Sequence, residues 1–222
     1  MGDAIDDAMG DPIGVFGGTF DPVHNAHLCL AESARSCLSL RAIRWVPTGL
    51  PGHRDAPIAS PEQRLAMLRL ALAGNVHHLI DTAELSSSQP TFTVNTLTRL
   101  RAELGARQPL ALIIGSDQFT ALHTWREWER LFELAHVAVA ERPGHAIDAA
   151  RLAPSLARQW ETRQANALGP RPGGCIVPFA MPAMGISSTQ IREALSTGRS
   201  ARHLLPDEVL AYIDSQHLYQ PA

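Results

Sequence analysis

The chain has 222 residues, of which 45% are hydrophobic and 18% charged, so it can bury a core and is not a disordered protein. Its 19 Lys and Arg against 22 Asp and Glu leave a net charge of −3, which argues against a nucleic-acid partner held by bulk charge. Three scattered cysteines, Cys29, Cys37 and Cys175, argue against a disulfide framework or a zinc site. No apolar run approaches the ~18 residues of a membrane span, so we expect a cytoplasmic protein without a membrane partner.

Strand and helix patterns alternate along the chain. An acidic stretch at 1–11 predicts a disordered tail, and residues 12–222 predict a single domain. Short apolar runs predict strands at 13–16, 42–46, 76–80, 110–114, 136–140 and 175–177. Helical spacing and capping residues predict helices at 25–40, 61–72, 93–104, around 125–134, 148–160, 188–196 and 207–217. The Pro- and Gly-rich residues 47–60 predict a loop.

The strand at 110–114 is apolar throughout, as in strands buried on both faces. Together with the alternation, it predicts an α/β fold, a doubly wound and mainly parallel sheet, with a small C-terminal helical portion at about 186–222. Folds of this class bind ligands beyond the carboxyl ends of the strands, where the strand order reverses.

One candidate site lies at Gly17–His27, between the first predicted strand and the first helix. Its glycines, Gly17–Gly18, let backbone amides approach an anion, and the following helix start offers unpaired N–H groups. His24 and His27, three residues apart, can face one side and donate to one phosphate chain. The segment is neither a Walker A loop nor a Gly-x-Gly-x-x-Gly fingerprint. The alternative is a tight turn at Asp21–Pro22 with two surface histidines.

A second candidate site is Gly185–Arg192, where three hydroxyl residues begin a predicted helix. Such a start is a ready cap and a second phosphate cradle. Arg192 follows Ser188 by four residues, so its planar fork projects near the same helix end and could meet a phosphate. The alternative is an ordinary serine cap with a solvent-exposed arginine.

Together these segments resemble the HxGH-type nucleotidyltransferases, which have a glycine-containing loop after the first strand and a late ISSTxIR-like segment. Here they read GTFDPVHNAH at 18–27 and ISSTQIR at 186–192. Ala26 stands where that family usually has Gly, which adds one methyl group near the nucleotide. From residue 13 to 219 the chain is similar to the bacterial nicotinate-nucleotide adenylyltransferases. The matching stretches are Gly17–His27, Val46–Arg54, Pro90–Leu97, Ile113–Asp117, Thr124–Trp125, Arg142–Gly144, Ile186–Arg192 and Leu204–Val209.

The resemblance implies a Rossmann-like fold and an enzyme that transfers the adenylyl group of ATP to nicotinate mononucleotide. The products are nicotinate adenine dinucleotide and pyrophosphate, in NAD biosynthesis. It also implies Mg²⁺ held mainly by ATP and pyrophosphate oxygens. The catalytic residues it implies are His24, His27 and Arg192. The ATP-binding residues it implies are Gly17, Gly18, Thr19, Phe20, Gly115, Ser116, Asp117, Ile186, Ser187 and Ser188.

For the mononucleotide, the resemblance implies that Trp125 stacks on the aromatic ring and that Thr93 and the backbone after Trp125 donate to the nicotinate carboxylate. Backbone donors suit a carboxylate better than a carboxamide. His53, Arg54 and Arg142 would supply positive charge for phosphates. The bland alternatives are a core-packed Trp125 and a solvated Arg54, and for Asp117 a helix cap.

Other functions stay open from the residues alone. They are a related transferase acting on phosphopantetheine, a CTP-dependent enzyme, and a non-catalytic nucleotide sensor. Thr93 and Trp125 favour the nicotinate substrate, and the intact His24, His27 and Arg192 favour catalysis over sensing. A homo-oligomer is also left open.

Overall fold

The computed structural model of the chain describes residues 10–51, 56–87, 89–141 and 146–220. Most of the tail predicted at 1–11 lies outside these ranges. The strands are β1 (Ile13–Gly18), β2 (Ala42–Pro47), β3 (Leu50–Pro51), β4 (His78–Ile80), β5 (Pro90–Thr91), β6 (Leu110–Gly115), β7 (His136–Glu141) and β8 (Ile176–Ala180). The α-helices are α1 (Asn25–Cys37), α2 (Pro61–Ala71), α3 (Thr93–Leu104), α4 (Ser116–Thr120), α5 (Leu131–Leu134), α6 (Pro154–Arg163), α7 (Ser188–Ser196) and α8 (Asp207–Ser215).

Six strands form one sheet in the order β4-β2-β1-β6-β7-β8, and every pair in it is parallel. The predicted doubly wound parallel sheet is therefore confirmed. The chain moves outward from β1 to β4 and then returns to the other side of β1, so the strand order reverses between β1 and β6. Pairing of these two strands ends at Val15 and Leu112, although they continue to Gly18 and Gly115. A crevice opens beyond that point.

Helices cover both faces of the sheet. Because successive side chains of a strand point to opposite faces, each buried strand contributes to a core on either side. In β6, Ala111 and Ile113 pack into the core that contains α1, α2, α7 and α8. Leu110, Leu112 and Ile114 pack into the core on the other face, with α3 and α6. This two-sided burial explains why the strand sequence is apolar throughout. Within the described ranges, no helix has the length and apolar character to cross a membrane.

Three predicted segments differ in detail. The loop predicted at 47–60 contains β3, which pairs in parallel with β5. The helix expected around 125–134 consists of a 3₁₀ turn at Trp128–Arg130 followed by the short α5, because Glu127 has a left-handed backbone with φ of 51°. The helix expected at 148–160 is a 3₁₀ turn at Ala149–Arg151 followed by α6, which begins at Pro154.

Candidate active site

Two cavities lie at the carboxyl ends of the central strands. The larger, of about 980 Å³, is bounded by the loop after β1, the start of α7 and the residues after β6. The smaller, of about 210 Å³, lies between β1, β6, the start of α3 and Trp125. Gly17, Gly18, Thr19 and Gln118 line both cavities. The end of β1 is therefore the place where two ligands, one in each cavity, would meet.

His24 and His27 begin α1 and line the larger cavity. Their rings stack with centroids 3.6 Å apart and planes 19° apart. The backbone N–H of His24 donates to Nδ1 of His27 over 3.3 Å, so the proton of a neutral His27 ring lies on Nε2. The side-chain Nδ1 of His24 is buried and has no partner among the described residues. The two histidines are therefore not the surface residues of the alternative interpretation.

Burial decides the charge of both histidines. It lowers the pKa of His24 to about 4. The pKa of His27 also falls well below its usual value, first through burial and then through the neighbouring His24. Both rings are therefore neutral near pH 7, and each offers one N–H group to a ligand. In this state they can contribute hydrogen bonds, but no positive charge, to the binding of an anion.

Phe20 shapes the loop from inside the core. Its ring is buried and contacts Phe16, Trp45 and His27, with centroids 5.2 Å from the ring of His27. A Cβ atom at Gly18 would lie 2.9 Å from this ring, which explains the glycine. The predicted ATP contact of Phe20 is thus limited to its backbone.

The late segment packs directly on this loop. Ser187 caps α7 by accepting the N–H of Gln190, and the hydroxyl of Ser188 donates to the carbonyl of Pro22 over 3.0 Å. Nη1 of Arg192 donates to the carbonyl of Asp21 over 2.7 Å. The structure therefore joins the two segments that the sequence analysis singled out. Arg192 is not the freely solvated arginine of the alternative interpretation, although it still lines the larger cavity.

The remaining predicted ATP-binding residues also line the larger cavity: Gly17, Gly18, Thr19, Gly115, Ser116, Asp117, Ile186, Ser187 and Ser188. Asp117 is exposed in the first turn of α4. It is not the cap of that helix, because the N-cap position is Gly115. Its carboxylate is therefore available to a ligand.

Thr93 and Trp125 line the smaller cavity, together with Glu84, Phe92 and Arg126. Thr93 is the first residue of α3, where backbone N–H groups are unpaired. Trp125 is half-buried and packs against the core with part of its surface. Trp128 instead packs edge-on against Phe132. The other predicted substrate residues, His53, Arg54 and Arg142, lie outside the described residues.

The sequence predicts no individual functional role for Asp21, Arg64 or Tyr219. Arg64 is 1% exposed and donates from Nη1 to the carbonyls of Thr19 and Thr48 over 2.8 Å each. The sequence does indicate that Arg64 is buried, since its spacing places it on the same helical face as Met67 and Leu68 of α2. The contact of Tyr219 with Asp21 joins residues 198 apart in the chain, which no local pattern indicates.

Known proteins that match this chain come from the family that its sequence resembles. The family model Cytidylyltransferase-like matches residues 15–194. The probable nicotinate-nucleotide adenylyltransferase of Dechloromonas aromatica is 47% identical over 215 residues, covering 96% of this chain and 99% of the relative. The protein of the same description in Chromobacterium violaceum is 42% identical, covering 96% of this chain and 100% of the relative.

Among solved structures, the Plasmodium falciparum nicotinic acid mononucleotide adenylyltransferase in complex with NaAD matches with a TM-score of 0.73. The match covers 95% of this chain and 98% of that chain at 19% identity, so it supports the fold. The sequence relatives show the family as well as the fold, because they match at 42–47% identity over nearly their whole length. With its crevice, its stacked histidines and its late serine–arginine helix, the chain belongs to the cytidylyltransferase-like family and, within it, to the nicotinate-nucleotide adenylyltransferases.

Proposed function

We propose that this protein transfers the adenylyl group of ATP to nicotinate mononucleotide, giving nicotinate adenine dinucleotide and pyrophosphate. The observation that carries this proposal is the pair of cavities that meet at Gly17–Thr19. A reaction between two nucleotides needs two sites with a common border at the reacting phosphates. The names of the full-length relatives support the same reaction.

The larger cavity fits ATP. Its phosphates would lie against His24, His27, Arg192 and the start of α7, whose backbone N–H groups favour an anion. Arg192 adds a full positive charge in a fork that suits phosphate oxygens. Asp117 at the end of β6 can accept hydrogen bonds from ribose hydroxyls.

The smaller cavity fits the mononucleotide. Trp125 offers an aromatic surface for the pyridine ring, and the N-terminus of α3 at Thr93 offers backbone donors to the carboxylate. Its phosphate would then point toward the end of β1, where the α-phosphate of ATP lies. We also propose that His53, Arg54 and Arg142 add positive charge near the phosphates.

The proposed reaction requires no covalent bond between the protein and its substrates. The phosphate of the mononucleotide is already an anion, so it attacks the α-phosphorus without a general base, and pyrophosphate leaves in line. The protein holds the two reactants and neutralises charge on the oxygens through the histidine N–H groups and Arg192. Neutral histidines suit this role, because each donates a hydrogen bond and needs no proton transfer.

Magnesium enters this scheme with the substrate. Within the part of the chain that the structure describes, no group of three or more His, Cys, Asp and Glu side chains could hold a metal ion. We propose that Mg²⁺ arrives bound to ATP and leaves with pyrophosphate, with the phosphate oxygens as its main ligands.

The test is pyrophosphate release from ATP with nicotinate mononucleotide or nicotinamide mononucleotide as acceptor. We expect turnover with the acid and a much lower kcat/KM with the amide, because the amide NH₂ group would face backbone donors. Equal rates with both would contradict the assigned carboxylate site. Turnover only with CTP or with phosphopantetheine would support a related transferase, and nucleotide binding without turnover would support a sensor.

A further inference from the structure

We propose that Tyr219 is a positioning residue for this reaction: its phenol holds the Asp21 carboxylate, so that Arg192 stays directed at the phosphates. The proposal rests on the proposed function for the role of Arg192. The contacts that carry it lie beneath the larger cavity and involve residues from both ends of the described chain.

Asp21 is the centre of this arrangement. It is 4% exposed, and three donors reach its carboxylate. Oδ2 accepts the backbone N–H of Ile58 over 2.8 Å, and Oδ1 accepts the N–H of Ala59 over 3.1 Å. The hydroxyl of Tyr219 donates to Oδ1 over 2.6 Å. The carboxylate thus ties the loop after β1 to the segment before α2 and to the residues after α8.

Tyr219 is suited to donate permanently. Its side chain is buried in the core with α1 and α8, and both burial and the Asp21 carboxylate raise the pKa of the phenol above its ordinary value. The hydroxyl therefore keeps its proton throughout the pH range in which the protein would work. A hydrogen bond from a neutral donor to a buried carboxylate is among the stronger ones in proteins.

Arg192 lies between this carboxylate and the cavity. Its Nη1 is 2.7 Å from the carbonyl oxygen of Asp21 but 4.0 Å from Oδ2 of the same residue. The contact with the carboxylate is therefore loose, and the other guanidinium N–H groups have no hydrogen-bond partner within the described ranges. The Asp21 carboxylate already accepts three hydrogen bonds, so it does not draw these N–H groups toward itself. They are therefore available to phosphate oxygens.

Removal of the phenol hydroxyl would change this balance. The carboxylate would keep two backbone donors and lose its third, which leaves a buried acceptor short of partners. Arg64 is committed to the carbonyls of Thr19 and Thr48. Among the residues that the structure describes, Arg192 is the cation within 4.0 Å of the Asp21 carboxylate, so we expect it to turn toward Asp21 and away from the cavity.

The test is a double-mutant cycle with Tyr219→Phe and Arg192→Gln. Tyr219→Phe should lower kcat/KM for ATP about tenfold, the scale of one hydrogen bond to a charged group. In the Arg192→Gln background the same change should have little further effect, because the residue it acts through is gone. An equal loss in both backgrounds, or no loss with Arg192 present, would overturn the proposal.

Tyr212→Phe is the matched control. Tyr212 lies on α8, packs against the same core and is the other of the two tyrosines in the chain, so its loss should leave kcat/KM unchanged. Pyrophosphate affinity, measured by calorimetry without an acceptor, should follow the same cycle. This readout separates the proposal from the proposed function, since it requires no turnover. If the wild-type protein bound no pyrophosphate, the role of Tyr219 in directing Arg192 at the phosphates would be overturned.

Spectroscopy tests the contact even if Tyr219→Phe does not fold. In an alkaline absorbance titration of Tyr212→Phe, whose single tyrosine is Tyr219, the phenol should ionise only when the protein unfolds. Ionisation of Tyr219 near the ordinary pKa of 10 in the folded protein would show that it does not donate to a buried carboxylate.

Discussion

His24 and His27 show how the site obtains its donors from burial. Their rings stack at the start of α1, and His27 also contacts the buried ring of Phe20. Because both pKa values are lowered, the rings would donate to a bound phosphate as neutral groups with a fixed orientation. Such preorganised donors act where charge develops in a transition state, without the cost of reorientation.

His27→Ala should lower kcat by about 100-fold while the fold survives, on the scale of losing one donor to a developing oxyanion. Steady-state pyrophosphate release would measure it. His77→Ala is the matched control, since His77 is exposed near β4, outside both cavities. A near-normal kcat for His27→Ala would refute the role of the ring.

Trp125→Ala should mainly raise KM for the mononucleotide, because base stacking on an aromatic side chain contributes roughly 1–3 kcal/mol. KM for ATP should change little, since Trp125 lines only the smaller of the two cavities described here. Trp125→Phe keeps a stacking surface and should recover most of the affinity. If KM for both substrates were unchanged by Trp125→Ala, the residue would have only a packing role.

At the scale of elements, the site is formed by helix starts and strand ends that meet at one edge of the sheet. The loop after β1 receives α7 through Ser188 and Arg192, and α2 through Arg64. Each of these contacts ends on a backbone carbonyl of the loop or the strand beside it. Backbone carbonyls are present whatever the residue type, so they leave no trace in the loop sequence.

Arg64→Met should destabilise the protein by about 3 kcal/mol, because it leaves two backbone carbonyls without their donor and removes a buried cation that interacts with Asp21. Burial lowers the pKa of Arg64, and the negative charge of Asp21 opposes this shift. Urea unfolding would measure the change. Arg69→Met, on the exposed face of α2, should stay within about 0.5 kcal/mol of the wild type.

For the whole molecule, buried neutral histidines determine how stability responds to acid. Besides His24 and His27, burial lowers the pKa of His136 and of His78. Between pH 6.5 and about 4 the unfolded chain therefore binds more protons than the folded one. The free energy of unfolding should fall as pH falls through this window, by up to about 1.4 kcal/mol per pH unit for each such histidine.

His136→Gln tests this linkage away from the active site. Nδ1 of His136 accepts the N–H of Cys175, and Nε2 donates to the carbonyl of Arg171, so the amide of Gln offers the same two kinds of contact without titrating. The difference in unfolding free energy between pH 7.5 and pH 5.5, measured with urea, should be smaller in the variant. An unchanged difference would mean that His136 is not buried and neutral.

The fold class follows from the sequence alone, because β6 is apolar on both faces and helices alternate with strands. The sequence also indicates which segments form the candidate site, since the Gly17–His27 loop and the Ile186–Arg192 helix start have local patterns typical of phosphate binding. Short elements such as α4 and β5 could not be predicted, because their formation depends on tertiary contacts and they are too short to show a periodic pattern.

How these segments fit together follows from tertiary packing. The charge of His24 and His27 follows from burial, which depends on what packs above them and not on their spacing. The partners of Asp21 come from Ile58, Ala59 and Tyr219, and Arg192 meets it across 171 positions of chain. Contacts between such distant residues are set by the closure of the sheet and its helices into one packed core, and no local pattern encodes them.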